Sequence, residues 1–258
     1  MKNRSATPPA RKKEWFDDYR FWRDLYLFMF SEKRFAEATE QVPKLLNLVK
    51  PGCENVLDLG CGAGRFSIPL AKAALRVTGV DSTGYLLQKA RAFAKKGKVS
   101  VEWVQEDMRE FVRPEAFDLA VNLFTSFGYF ENREDDVLVV ANVYRSLRRG
   151  GTFVIDLMGK EVLARMAQPA VLDILPDGSK LVQQPRVCDG WTRIRHEWTL
   201  IQDGAARTYQ FQTNIYSGQE LKELLLRAGF AEVKLYGSLE GEEYGLGAKR
   251  LIAVATRT

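Results

Sequence analysis

The sequence predicts an α/β fold: a mostly parallel seven-stranded sheet with helices on both faces, an N-terminal helical cap before it, and an antiparallel β insertion after the fifth strand. Three observations lead there. From Asn55 onward, short β-rich runs alternate with longer stretches of helical pattern, as crossover connections between parallel strands require. A glycine-rich turn follows the first run directly. Between Lys160 and Tyr216 the alternation stops, and an Asp203-Gly204 turn stands between two runs of alternating polarity.

The 258-residue chain carries a formal charge of +5. Lys2, Arg4, Arg11, Lys12 and Lys13 precede the first acid, Glu14, and account for the whole excess, so residues 14–258 are balanced. That balance argues against nucleic acid as a partner. Residues 1–13, with Pro8 and Pro9 and almost nothing apolar, are expected to be a disordered basic tail rather than a signal peptide. Residues 14–50, aromatic from Trp15 to Phe30 and then helical in pattern, precede the alternation and are expected to cap the sheet's ligand edge. No apolar run is long enough to cross a bilayer. Cys53, Cys61 and Cys188 have neither disulfide nor metal-ligand spacing, and one histidine leaves little for a zinc site, so no metal is expected and a cytoplasmic location is.

Strands are expected at Asn55 to Leu59, Arg76 to Val80, Val99 to Gln105, Phe117 to Leu123, Gly151 to Leu157, Ala231 to Tyr236 and Leu251 to Thr256. Between the fourth and fifth, Val137, Val140, Ala141, Tyr144 and Leu147 recur at helical spacing and read as the stripe that packs on the sheet. Leu221, Leu224, Leu225 and Ala228 repeat the pattern in a helix opened by a Ser217–Glu220 capping box and stopped by Gly229. Residues 51–159 and 217–258 thus form the main domain, with 160–216 inserted. A two-residue turn at Asp203-Gly204 sets Trp198 opposite Tyr209, His196 opposite Phe211 and Ile194 opposite Thr213 on one face. The other face then pairs Arg195 with Gln212 and Glu197 with Gln210.

The chemistry is carried by polar residues at successive strand ends. Asp58-Leu59-Gly60-Cys61-Gly62-Ala63-Gly64 puts an acid and three alternate glycines at the first turn, where backbone must bend sharply and approach a ligand. Arg65 stands where a dinucleotide fingerprint needs its third glycine, which argues against a nicotinamide. Asp81-Ser82 ends the second strand, placed to accept from both ribose hydroxyls, Asp107-Met108 follows the third, and Asn122 ends the fourth. In an open α/β sheet ligands bind at this carboxyl edge. This set resembles the successive motifs of the class I S-adenosylmethionine-dependent methyltransferases, over about residues 51–157 and more loosely 217–258. The run from Asn122 to Phe130 and the late hairpin are similar to a broad group of bacterial methyltransferases, a similarity that names the reaction and not the acceptor.

The resemblance implies a Rossmann-like fold and S-adenosylmethionine as cofactor; with residues 14–258 balanced in charge, a small-molecule methyl acceptor is expected. It implies that Asp58, Gly60, Cys61, Gly62 and Gly64 surround the methionine part, that Asp81 with Ser82 holds the ribose, and that Asp107 and Met108 hold the adenine. Asn122 and Phe124 would flank the sulfonium, a cation suited to an aromatic face. The acceptor pocket is expected from Tyr19, Trp22, Phe127, Tyr129, His196, Trp198, Tyr209 and Phe211, with His196 and Tyr129 as candidates for catalysis; a core histidine is the rival reading of His196. Methylation of RNA or protein, or cofactor binding without catalysis, are the alternatives, and the chain is expected to be a monomer or homodimer.

Overall fold

The computed structural model describes residues 13–166 and 168–258; apart from Lys13, the expected basic tail lies outside the described residues. Two short 3-10 and helical turns, Trp15–Asp17 and α1 (Tyr19–Asp24), lead through α2 (Tyr26–Met29) into α3 (Glu32–Asn47). The alternating part then runs β1 (Asn55–Leu59), α4 (Ser67–Lys72), β2 (Arg76–Asp81), α5 (Gly84–Gly97), β3 (Glu102–Gln105), β4 (Phe117–Asn122), α6 (Arg133–Ser146) and β5 (Leu147–Leu157). After β5 come α7 (Lys160–Met166), β6 (Val171–Ile174), β7 (Lys180–Cys188), β8 (Arg193–Gln202) and β9 (Ala205–Asn214). The chain closes with α8 (Gly218–Arg227), β10 (Glu232–Tyr236) and β11 (Leu251–Thr256).

The large sheet has the order β10-β11-β5-β4-β1-β2-β3, with β11 alone antiparallel to the strand run it joins and β10 antiparallel to β11. Strand alternation divides the apolar residues between two cores. Val56, Leu119, Val121, Val154, Ile252 and Val254 face one side, where they meet Ala38, Val42 and Leu45 of α3 and Leu70 of α4. Leu57, Leu59, Ala120, Phe153 and Ile155 face the other, against Val139, Val140 and Val143 of α6 and Leu221 and Leu225 of α8. Because both faces are covered, the central strands are mostly apolar, and the buried polar residues Asp58, Asn122 and Asp156 stand at or near their carboxyl ends.

Two expectations about helices change. The stripe of α6 that meets the sheet is Val139, Val140 and Val143, whereas Val137 is 48% exposed and Leu147 already belongs to β5. The buried face also includes Asp136, Asn142 and Ser146, so a purely apolar count finds the wrong stripe. Asp136 is buried because Asn214 Nδ2 and Tyr216 Oη donate to its Oδ2 at 2.8 and 2.6 Å. Likewise α3 does not cap the ligand edge but lies along a sheet face, burying Ala38, Val42 and Leu45 at i, i+4 and i+7. Only the chain before it and its first turn reach the edge.

The insertion is larger than a hairpin. The paired strands β8 and β9 have the expected register, Trp198 with Tyr209, His196 with Phe211, Ile194 with Thr213, but they belong to a four-stranded antiparallel sheet in the order β6-β7-β8-β9. Pro185 in β7 masks that strand in the sequence. It lies past the end of β6, where β8 alone runs beside it opposite His196, a place where a missing N–H costs least.

Candidate active site

At the carboxyl edge of the large sheet, a cavity of about 650 Å³ is enclosed by three parts of the chain: the strand-end loops, the N-terminal aromatic segment and the insertion sheet. The glycine loop forms its floor. Gly60, Gly62 and Gly64 all have positive φ, a conformation that glycine adopts without strain. A Cβ at Gly60 would come within 3.0 Å of Ser126, and one at Gly62 within 2.9 Å of Phe30. Gly64 serves packing instead: its missing Cβ makes room for the Trp103 ring, 2.7 Å from where that atom would stand. Gly64 is not among the residues lining the cavity.

The acids at the strand ends hold this loop. Asp81 Oδ2 accepts from Gly62 N at 2.8 Å, and Oδ1 from Thr83 N at 2.8 Å, which leaves further lone pairs on both oxygens beside the cavity. Burial pushes its pKa up against those two backbone bonds. Asp58 takes the Ser67 hydroxyl at 2.5 Å and is pushed by burial to about 6. Asp107 accepts from Arg109 N at 2.8 Å and Nε at 3.0 Å. Arg109 reaches on to Asp135 at 2.8 Å and Glu14 at 3.4 Å while its guanidinium lies 4.1 Å from the centre of the Phe130 ring. Through that guanidinium the N-terminal segment is tied to the β3 loop.

Asp58, Gly60, Cys61, Gly62, Asp81, Ser82, Asp107, Met108 and Phe124 all line the cavity. Asn122 does not: fully buried, it donates Nδ2 to Leu59 O at 3.0 Å and binds the end of β4 to that of β1, while its Oδ1 has no partner. Of the expected acceptor residues, Trp22, Tyr129, His196, Trp198 and Phe211 line the cavity. Tyr19 is half exposed against Tyr85, Phe127 is buried against Tyr216, and Tyr209 donates its hydroxyl to Asp24 at 2.7 Å, so these three stand outside the wall.

The aromatic face of the insertion meets the N-terminal segment ring by ring. Trp15 stacks on Phe211 with centroids 4.5 Å apart and donates Nε1 to Tyr129 O at 3.2 Å. Phe28 meets Trp198 edge-on at 5.4 Å. His196 stacks on Phe211 at 4.6 Å, with Nε2 3.1 Å from Thr213 Oγ1. Burial pulls its pKa down to about 4 and pushes that of the Tyr129 phenol up to about 12. At neutral pH both are uncharged, and neither is matched to accept a proton.

Sequence reasoning singled out the loop after β4 with Phe124 but missed its backbone conformation and the arginines around it. Phe124 and Thr125 both have positive φ, uncommon for residues with a Cβ. They are held by Asp156 at the end of β5, whose Oδ2 accepts from Phe124 N at 3.1 Å and whose carbonyl accepts from Thr125 N at 2.9 Å. Arg250 closes the arrangement on Asp156 Oδ1 at 2.6 Å. Arg34, Arg65 and Arg250 all line the cavity. Arg65 alone had a visible signal, a long cation directly after the last glycine of the loop.

Comparison with known proteins agrees with this geometry. A family model described as a methyltransferase domain matches residues 56–151. The chain is 26% identical over 204 residues to the cypemycin N-terminal methyltransferase of a Streptomyces species, covering 78% of this chain and 82% of that protein. The structure of the CcbJ methyltransferase from Streptomyces caelestis superposes with a TM-score of 0.73 at 19% identity, over 86% of this chain and 95% of that one. The sugar N-methyltransferase KedS8 from Streptoalloteichus superposes with a TM-score of 0.70 at 19% identity, over 100% and 98%.

Proposed function

The chain is a class I S-adenosylmethionine-dependent methyltransferase, and we propose that it transfers the methyl group to a nitrogen of a small molecule. The residues at the sheet edge fit the cofactor. Gly60 and Gly62 line the cavity with positive-φ backbone, the carboxylates of Asp58 and Asp81 border it, and its volume of about 650 Å³ lies in the range of small-molecule sites. When bound, S-adenosylmethionine supplies an electrophilic methyl on a sulfonium. In this reading Asp81 with Ser82 takes the ribose hydroxyls, Met108 borders the adenine, and Asp107 faces its amino group in an orientation that Arg109 holds. Asp58 and the loop from Gly60 to Gly62 border the methionyl part.

The observation that carries the small acceptor is the enclosure: Trp22, Phe28, Trp198 and Phe211 come from two separate parts of the chain and wall the same cavity as Asp58 and Asp81. Such a wall excludes water and anything wider than a metabolite or a chain end. Nitrogen is favoured because His196 and Tyr129, the nearest candidates for a base, are held uncharged with pKa values of about 4 and about 12. A neutral amine brings its own lone pair and needs mainly alignment, which positioning supplies. Tyr129 and His196 then act as hydrogen-bonding groups that orient the acceptor. The relative named as an N-terminal methyltransferase is in keeping with a nitrogen acceptor. Supplying labelled S-adenosylmethionine with separate pools of metabolites, RNA and protein should label the metabolite pool, in amines. Labelling of RNA or protein alone would overturn the reading, and no labelling despite tight cofactor binding would mark a non-catalytic binder.

A further inference from the structure

The cavity is polarised along the sheet edge. Asp58, Asp81, Glu106 and Asp107 follow β1–β3, whereas three arginines from separate parts of the chain, Arg65 after the glycine loop, Arg34 of α3 and Arg250 before β11, converge on the ring of Phe124 after β4. The guanidinium carbon of Arg65 lies 3.7 Å from the Phe124 centroid, that of Arg34 at 5.1 Å and that of Arg250 at 5.4 Å. Arg250 is satisfied by Asp156 and by Thr125 Oγ1 at 3.0 Å. Arg65 and Arg34 are not. Among the described residues no group accepts a hydrogen bond from either guanidinium; Arg65 is only 8% exposed, and its buried Nε is without a partner.

The neighbouring acids do not answer this. Asp58 takes the Ser67 hydroxyl, and Asp173 takes the Gln183 amide at 2.7 Å. Buried charges are ordinarily paired, because desolvation without a partner is expensive. Stacking on Phe124 offsets part of that cost but offers no acceptor for the N–H groups. Burial and the nearby Arg34 pull Arg65 down to about 10, so it remains charged at neutral pH. A planar guanidinium with free donors, aimed into a cavity, matches a carboxylate.

We infer that Arg65, with Arg34 beside it, is a carboxylate subsite for the methyl acceptor, so that the substrate is a small amino compound bearing an acid group. This rests on the small-molecule reading above and narrows it. The acidic side of the cavity suits the hydroxyl and amino groups of the cofactor; Arg34 lies close enough to Asp173 of the insertion to feel its charge, and Gln183, Ile194 and His196 of the insertion, the part left to the acceptor, line the same cavity.

The test uses the full chain saturated with S-adenosylhomocysteine and two probes of one shape, benzoate and benzamide, titrated by ligand-observed NMR. Benzoate should bind at least about tenfold more tightly, a difference of roughly 1.4 kcal/mol. Arg65→Gln should abolish that preference and Arg65→Lys restore part of it, with S-adenosylhomocysteine affinity by calorimetry unchanged within about threefold, a difference below 1 kcal/mol. Equal binding of benzoate and benzamide to the unmodified protein would overturn the subsite. So would a loss of S-adenosylhomocysteine affinity in a folded Arg65→Gln protein, which would assign the guanidinium to the cofactor's own carboxylate. Failure of the unmodified protein to bind S-adenosylhomocysteine would instead count against the cofactor reading on which the subsite stands.

Discussion

His196 shows how much a single residue's role depends on what surrounds it. Stacked on Phe211 and bonded to Thr213, it is held neutral by burial, with its pKa down from 6.5 to about 4. A group whose folded pKa is depressed favours the fold above its unfolded pKa, and that contribution disappears as pH falls through the folded value. The neutral ring therefore stabilises the protein fully above pH 6.5 and progressively less down to about 4. Asp58 and Asp136, raised by burial to about 6, act in the opposite sense, losing stability as pH rises from 3.8 through about 6. Both effects are present with or without the histidine, so comparison with His196→Gln isolates the ring. The Tm of the variant should fall less steeply between pH 6.5 and 4 than that of the parent. Parallel curves would show that the imidazole titrates normally and is open to solvent, and would reopen its candidacy as a base.

Among the elements, the β8–β9 pair was the most legible part of the insertion, because a two-residue turn and period-two polarity together define one register. β6 and β7 were not, since Pro185 and the polar Gln183 and Gln184 break the alternation that marks a strand. The stripe of α6 was misplaced for a similar reason: its core face includes Asp136, Asn142 and Ser146, whose burial depends on partners far away in the chain. The aromatic face of β8–β9 leads to a prediction at this scale. Trp198 lines the cavity, and its ring packs against those of Phe21, Phe28, His196 and Phe211 of the cover. Trp198→Ala should lower methyl transfer at saturating cofactor by about tenfold or more while S-adenosylhomocysteine affinity changes by less than about threefold, or under 1 kcal/mol. Equal damage to both would mean that the insertion supports the cofactor rather than the acceptor.

For the whole molecule, the described residues include no helix long and apolar enough to cross a membrane and no cluster of ligating side chains fit for a metal ion. What joins its parts is the cavity. Trp15 bridges the N-terminal segment to Phe211 of the insertion, Arg109 ties Glu14 to Asp107, and Tyr209 with Arg207 holds Asp24. The cover thus consists of two segments that support each other over the cofactor edge, and ligand binding should order them together. Hydrogen exchange with S-adenosylhomocysteine should slow in residues 15–30 and in β8–β9 as well as in the glycine loop. Protection confined to residues 58–66 and 81–83 would show that the cover is independent of the cofactor. The parallel sheet, its glycine loop and the acids at its strand ends were determined by local sequence, because turn chemistry and strand period act over a few residues. The side of the sheet taken by α3, the wall built from Trp22, Trp198 and Phe211, and the convergence of Arg34, Arg65 and Arg250 on Phe124 were decided by tertiary structure alone. They join residues up to 216 positions apart, and no local pattern records which distant side chains must meet to bury an aromatic face or to leave a guanidinium unpaired.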